Sequence, residues 1–137
     1  MTASPSSLPK HGAVLFAKDL PRVAAFYRDL VGMTQTVTEN RLIVLESDTY
    51  QLVIHGIPKN IANRIDITTP PLRRVDMPTK LVFPVTSLAA ARTAAGALGG
   101  EVDPVSAQFS ARSFIACDGF DPEGNVVQFR EAAPAGG

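Results

Sequence analysis

Two histidines, His11 and His55, and a set of amides and cations placed on apolar runs are the side chains with which this chain could do chemistry. An imidazole pair suits a divalent ion, and a site can be drawn from His11, His55 and either Glu46 or Gln128. His55 and Gln51 share one face of the run 50–55 (YQLVIH), because side chains alternate along a strand. Gln51 and Gln128 could offer amide donors and acceptors to a polar ligand, or bond to each other. Lys80 opens an apolar run and could anchor an anion; buried, it would become a base. On a strand start it could equally reach out to water. Cys117 sits in an apolar run with no cation or helix start beside it in sequence, which reads as a core thiol rather than a nucleophile. No Ser-His-Asp set, CxxC pair, Walker loop or dinucleotide-binding glycine pattern is present.

The elements that must position these groups come in two similar copies. Residues 12–33 (GAVLFAKDLPRVAAFYRDLVGM) and 80–101 (KLVFPVTSLAAARTAAGALGGE) align Leu20 with Leu88, Leu30 with Leu98 and Gly32 with Gly100, each pair 68 residues apart. Each copy reads as a strand, a helix cap (Asp19 or Ser87), an amphipathic helix and a glycine stop. Pro21 fits the first helical turn, where no donor is needed. Three strands are expected after the first helix, at 34–39, 41–46 and 50–55. After the second they are expected at 101–105, 112–117 and 126–131, with 106–111 a polar turn or bulge. Asp121-Pro122-Glu123-Gly124-Asn125 is a strong turn signal before the last strand.

Residues 57–78 hold four prolines and scattered charge with no clean period. They read as a tether between the modules, with a short strand or helical turn at 61–67, or as a lid or contact arm using Lys59, Arg64, Arg73 and Arg74.

Composition bounds the function class. With 13 basic and 13 acidic side chains the net charge is zero, so the electrostatic footprint of a nucleic-acid binder is missing. The same balance argues against a trap for strongly cationic drugs. One cysteine allows no internal disulfide, which fits a reducing cytoplasm. Residues 1–10 are Ser/Pro-rich and do not read as a signal peptide, and no run is long enough to span a bilayer. No membrane partner is expected.

The strand–helix order repeated twice, Asp19-Leu20 followed by Phe26-Tyr27 and Leu30-Val31-Gly32-Met33, and the closing Asp121–Asn125 turn together resemble the vicinal oxygen chelate superfamily. That group includes glyoxalase I, bleomycin-resistance proteins, fosfomycin-resistance enzymes and extradiol dioxygenases. The resemblance covers residues 11–131. It implies an α+β fold in which two βαβββ modules (11–56 and 79–131, joined by 57–78) are related by a pseudo-twofold. Their sheets form a curved mixed wall around a cavity, and residues 1–10 and 132–137 are flexible ends.

In such proteins the metal ligands come from the first and last strands of each module. Carried onto this sequence, those places fall on Gly12, Gln51, Lys80 and Gln128, a set without imidazole or carboxylate. The resemblance therefore implies a metal-free protein that binds a small organic molecule in the inter-module cavity, lined by Phe16, Gln51, Lys80 and Gln128, with His55 a further candidate. The alternatives are a lyase, isomerase or dioxygenase holding one Zn, Ni, Fe or Mn ion through His11 and His55, and an interaction module with no ligand. A homodimer is expected from the resemblance, because family members often pair with their cavities near the interface.

Overall fold

A computed structural model describes residues 8–134; of the expected flexible ends, 1–10 and 132–137, residues 1–7 and 135–137 lie outside them, and Ala132 belongs to the last strand. Nine strands and three helices follow in the order β1 (His11–Ala17), α1 (Leu20–Tyr27), β2 (Thr34–Glu39), β3 (Leu42–Glu46), β4 (Tyr50–Gly56), α2 (Lys59–Ala62), β5 (Leu81–Pro84), α3 (Leu88–Ala97), β6 (Glu101–Val102), β7 (Phe109–Ser110), β8 (Phe114–Phe120) and β9 (Val126–Ala132). The first module is βαβββ as expected, in a sheet of order β1-β4-β3-β2. The second adds an extra short strand: its sheet runs β5-β9-β8-β6, with β7 also pairing β8.

The internal repeat is visible atom by atom at the helix starts. The Asp19 carboxylate accepts from Arg22 N at 3.3 Å, and 68 residues on the Ser87 hydroxyl accepts from Ala90 N at 3.0 Å. Each satisfies one of the amide groups a helix start leaves free. A π-helical turn, Arg28–Gly32, completes α1, and the chain leaves it at Gly32. The strand limits depart from expectation mainly in the second module. Phe109 and Ser110 pair with Ala116 and Ile115 where a turn was expected, and β8 begins and ends later than the 112–117 run. A two-residue strand leaves no periodicity to read.

One hydrophobic core joins both halves. Val23, Phe26 and Tyr27 of α1 are fully buried with Leu45, Leu52, Ile54, Phe83 and Phe129. The aromatic side chains of α1 reach into the second module: Phe26 lies 6.4 Å from Phe129 and Tyr27 5.2 Å from Phe83, centroid to centroid. The alanines of α3 do the opposite. Ala91 and Ala95 bring that helix close to the rest of the core without adding bulk.

A buried polar cluster ties the halves at the turn 121–125. The Tyr27 hydroxyl donates to Asp121 Oδ2 at 2.7 Å, and the same carboxylate accepts from Glu123 N, Asn125 N and Asn125 Nδ2. Glu123 in turn accepts the amides of Lys18 and Asp19 at 2.9 and 2.7 Å. A buried carboxylate tolerates its site only when so many donors converge on it. Burial first, then the Asp121 carboxylate, pushes the Tyr27 phenol well above its ordinary range.

Residues 57–78 are more than a tether. They form the short helix α2, and then a strap that docks on the second module. Arg74 N donates to Gly124 O at 2.8 Å, and Arg74 bridges Asn125 in parallel. Arg73 makes a bidentate pair with Asp103 at 2.7 and 2.8 Å.

Candidate functional site

Each sheet packs one face on the shared core and leaves the other open. In β1 the odd positions Ala13, Leu15 and Ala17 join the core; Gly12, Val14 and Phe16 point the other way, with Val14 58% and Phe16 63% exposed. The register extends this open face across the sheet. Gly12 lies beside Gln51, Val14 beside Val53 and Phe16 beside His55. On the next strand Glu46, Val44 and Leu42 continue the same three rows. The middle row is thus all valine, and Val37 extends it onto β2. At one end the Phe16 ring stacks on His55 at 5.9 Å and 23°. At the other, Lys10 pairs with Glu46 at 3.3 Å. Hydrogen bonds from Thr36 first, and the Lys10 ammonium beside it, hold the Glu46 carboxyl below its usual range.

The open face of the second sheet is polar. Lys80 Nζ donates to Asp118 Oδ2 at 2.6 Å, Gln128 Nε2 donates to Asp118 Oδ1 at 3.2 Å, and Arg130 Nε donates to Gln128 Oε1 at 2.8 Å. The Arg130 guanidinium lies over the Phe114 ring at 4.2 Å. The result is a single chain of charge-assisted hydrogen bonds, which holds the last guanidinium over an aromatic ring. Among the described residues, no side chain accepts from its terminal Nη nitrogens.

The residues singled out from sequence are therefore divided between two surfaces. Phe16, Gln51 and His55 belong to the first sheet, Lys80 and Gln128 to the second, and no strand pairing joins the sheets within one chain. Phe16 and His55 line a cavity of about 390 Å³ with Arg41, Leu42 and Pro58. Lys80 lines a different one, of about 200 Å³, with Asp118 and Met77. The expected single lining of Phe16, Gln51, Lys80 and Gln128 is not assembled within one chain. Nor do Gln51 and Gln128 bond to each other: Gln51 faces Glu46, and Gln128 is engaged by Asp118 and Arg130.

The places that the resemblance assigns to metal ligands hold Gly12, Gln51, Lys80 and Gln128, without imidazole or carboxylate. His11 shares its strand parity with the core-facing residues of β1, while His55 lies on the open face. Their register positions are five residues apart, roughly 17 Å along the strands. Among the described residues no three His, Cys, Asp or Glu side chains are grouped to hold an ion. At Gly12 the backbone itself forbids a ligand: a Cβ there would stand 2.2 Å from Gln51 O. Lys80 brings a cation already paired with Asp118.

Cys117 is buried at the core, and burial pushes its thiol up despite the Arg92 guanidinium nearby. It is a packing residue, as its sequence setting implied. Asp118, Arg130 and Phe114 were not singled out from sequence. Arg130 was within reach, since it stands two positions beyond Gln128 and must share its face.

No family model matches the sequence, and no curated protein matches it with significance. Solved structures do match. A glyoxalase/bleomycin resistance protein/dioxygenase family enzyme from Burkholderia phytofirmans PsJN aligns over 89% of this chain and 97% of its own, at 15% identity and a TM-score of 0.65. A glyoxalase/dioxygenase from Nostoc punctiforme aligns over 98% of both chains, at 16% identity and a TM-score of 0.64. A glyoxalase/bleomycin resistance protein from Albidiferax ferrireducens T118 covers 93% of this chain and 100% of its own, at 20% identity and a TM-score of 0.61. Two strand–helix modules, each with one sheet face open, make this the α+β fold of the glyoxalase/bleomycin-resistance/dioxygenase proteins.

Proposed function

We propose that the protein binds a small organic molecule carrying an anionic group, without a catalytic metal, on the open sheet faces. The observation that carries this reading is the Lys80–Asp118–Gln128–Arg130 chain, which ends in a guanidinium held over the Phe114 ring. A guanidinium oriented in advance loses little freedom when it meets a carboxylate or phosphonate. The valine row and the Phe16–His55 stack on the other sheet supply an apolar counterpart for the rest of the ligand.

Both faces are open within one chain, so a second copy is the natural cover, and a homodimer belongs to the proposal. The neutral balance of charge and the buried lone cysteine favour a small molecule over nucleic acid, and a cytoplasmic setting. No described helix is long and apolar enough to cross a membrane.

The test pairs a thermal-shift screen of small carboxylates and phosphonates with metal analysis of untagged protein. Anionic compounds are expected to raise the melting temperature, with no response from their neutral amides. Arg130→Gln is expected to abolish the response, and EDTA to leave it intact. Stoichiometric Zn, Ni, Fe or Mn would favour the metal-dependent lyase, isomerase or dioxygenase reading instead. Failure of every anion would favour an interaction module. Light scattering reads the dimer directly.

A further inference from the structure

A third cavity, of about 440 Å³, lies against the strap, and Arg130 is not part of its lining. Its size is that of a small-ligand pocket. Its apolar lining comes from Phe16 at the end of β1, Ile65 and Ile67 after α2, and Leu72 of the strap, with Phe16 63% and Leu72 79% exposed. These walls are anchored from separate parts of the fold. The Lys18 ammonium donates to Ile65 O, which ties the segment after α2 to the end of β1. The strap is fixed by Arg74 N on Gly124 O and by Arg74 Nε on Glu123 O at 3.1 Å. It lies so close to the turn that a Cβ at Gly124, whose φ is +86°, would stand 2.0 Å from Leu72 O.

Three charged groups line this cavity, Arg74, Asp66 and Glu123, and two of them are uncommitted. Arg74 is placed through Nε, and among the described residues no side chain accepts from its Nη nitrogens. Asp66 lines the same cavity and makes no ion pair with Arg74. The third charged group, Glu123, has both carboxylate oxygens taken by the amides of Lys18 and Asp19. One free cation and one free anion among apolar walls fit a ligand with the mirror arrangement.

We propose that this cavity binds a small zwitterion with an apolar side chain, the chemical class of the aliphatic and aromatic α-amino acids, its carboxylate on Arg74 and its ammonium on Asp66. This site shares Phe16 with the first sheet's open face but does not rest on the function proposed above. A purely anionic ligand meets repulsion from Asp66, and a purely cationic one from Arg74.

Isothermal titration of the full chain with L-leucine, isocaproate (no ammonium) and isoamylamine (no carboxylate) tests it. L-leucine is expected to bind at least about tenfold more tightly than either analogue, because each loses one charged partner. Asp66→Asn is expected to abolish that preference over isocaproate, and Arg74→Gln to weaken L-leucine by about tenfold or more. Arg130→Gln should leave L-leucine binding unchanged, which separates this site from the sheet-face site. No binding by wild type, equal binding of all three probes, or indifference to both Asp66→Asn and Arg74→Gln would overturn the assignment. Circular dichroism reports the folding of each variant; if Arg74→Gln unfolds, the exposed Asp66→Asn decides the outcome.

Discussion

The open faces of the two sheets share a backbone plan and carry opposite chemistry. Val14 beside Val53 in the first sheet corresponds to Val82 beside Gln128 in the second; Phe16 beside His55 corresponds to Pro84 beside Arg130. In the first pair an aromatic ring stacks on an imidazole, and in the second the guanidinium leaves its strand neighbour to lie over Phe114. Duplicated geometry has been kept while the surface diverged. A ligand meeting both faces would meet an apolar surface on one side and a fixed row of charge on the other, and so could bind in one orientation only.

The helices differ in the same way. Tyr27 of α1 corresponds to Ala95 of α3, and both are fully buried. One brings bulk and a hydroxyl across to the second module, and the other brings only closeness. The junction between modules is therefore carried from one side, by Tyr27 and the main chain at Lys18 and Asp19 meeting the 121–125 turn.

That asymmetry can be broken at its centre. Asp121→Ala would leave four donors facing a cavity with no acceptor. A loss of about 3 kcal/mol or more is expected, read as a fall in melting temperature on the order of 10 °C. The corresponding loss for Ala95→Gly, which removes one methyl and loosens a helix, should be smaller, near 1 kcal/mol or a little above. If the two variants prove equally destabilising, the one-sided junction is wrong.

Tyr27→Phe removes the hydroxyl alone and should cost about 1.5–3 kcal/mol in urea unfolding at neutral pH. Its pH signature is more specific. The folded-state pKa of Tyr27 is raised, so its stabilisation is complete below the unfolded phenol value, about 10. As pH climbs above that value the unfolded chain releases its proton first, and stability falls until the folded phenol also ionises. The variant should show a shallower alkaline decline. Part of it will persist because Tyr50, the other tyrosine, is also raised by burial. Identical alkaline slopes in wild type and variant would remove Tyr27 from this role.

The smallest effects sharpen the pair Gly12 and Lys80, which occupy equivalent places in the two modules. Gly12→Val must displace the β4 backbone at Gln51 and should cost about 1–3 kcal/mol. Lys80→Ala breaks an exposed ion pair with Asp118 and should cost less than about 1 kcal/mol. The reverse ranking in chemical denaturation would mean that the first sheet relaxes readily at Gly12, leaving room there for a ligating side chain.

Much of the frame was legible in the chain. The caps at Asp19 and Ser87, the helix end at Gly32, the three strands after α1 and the 121–125 turn are all dictated by residues within a few positions of one another. Strand parity likewise gave the correct face for Gln51 and His55. What sequence could not supply were the partners of those faces. Asp118 meets Lys80 across 38 residues, Tyr27 meets Asp121 across 94, and Arg74 meets the turn across 49 or more. No local pattern encodes such pairings, because they depend on how complete modules pack.

The sequence by itself determined two strand–helix modules, their caps and turns, and a set of strand positions poor in metal-binding side chains. Only the tertiary structure decided that the two sheets bury their helix sides in one core and leave the other sides open. It also separated Phe16 and Gln51 from Lys80 and Gln128, and folded residues 57–78 down as a strap over a cavity. The physical reason is range. Caps, turns and alternation follow from the dihedral and hydrogen-bonding demands of neighbouring residues. Which face is covered follows from the hydrophobic gain of closing one shared core, a property of the whole chain.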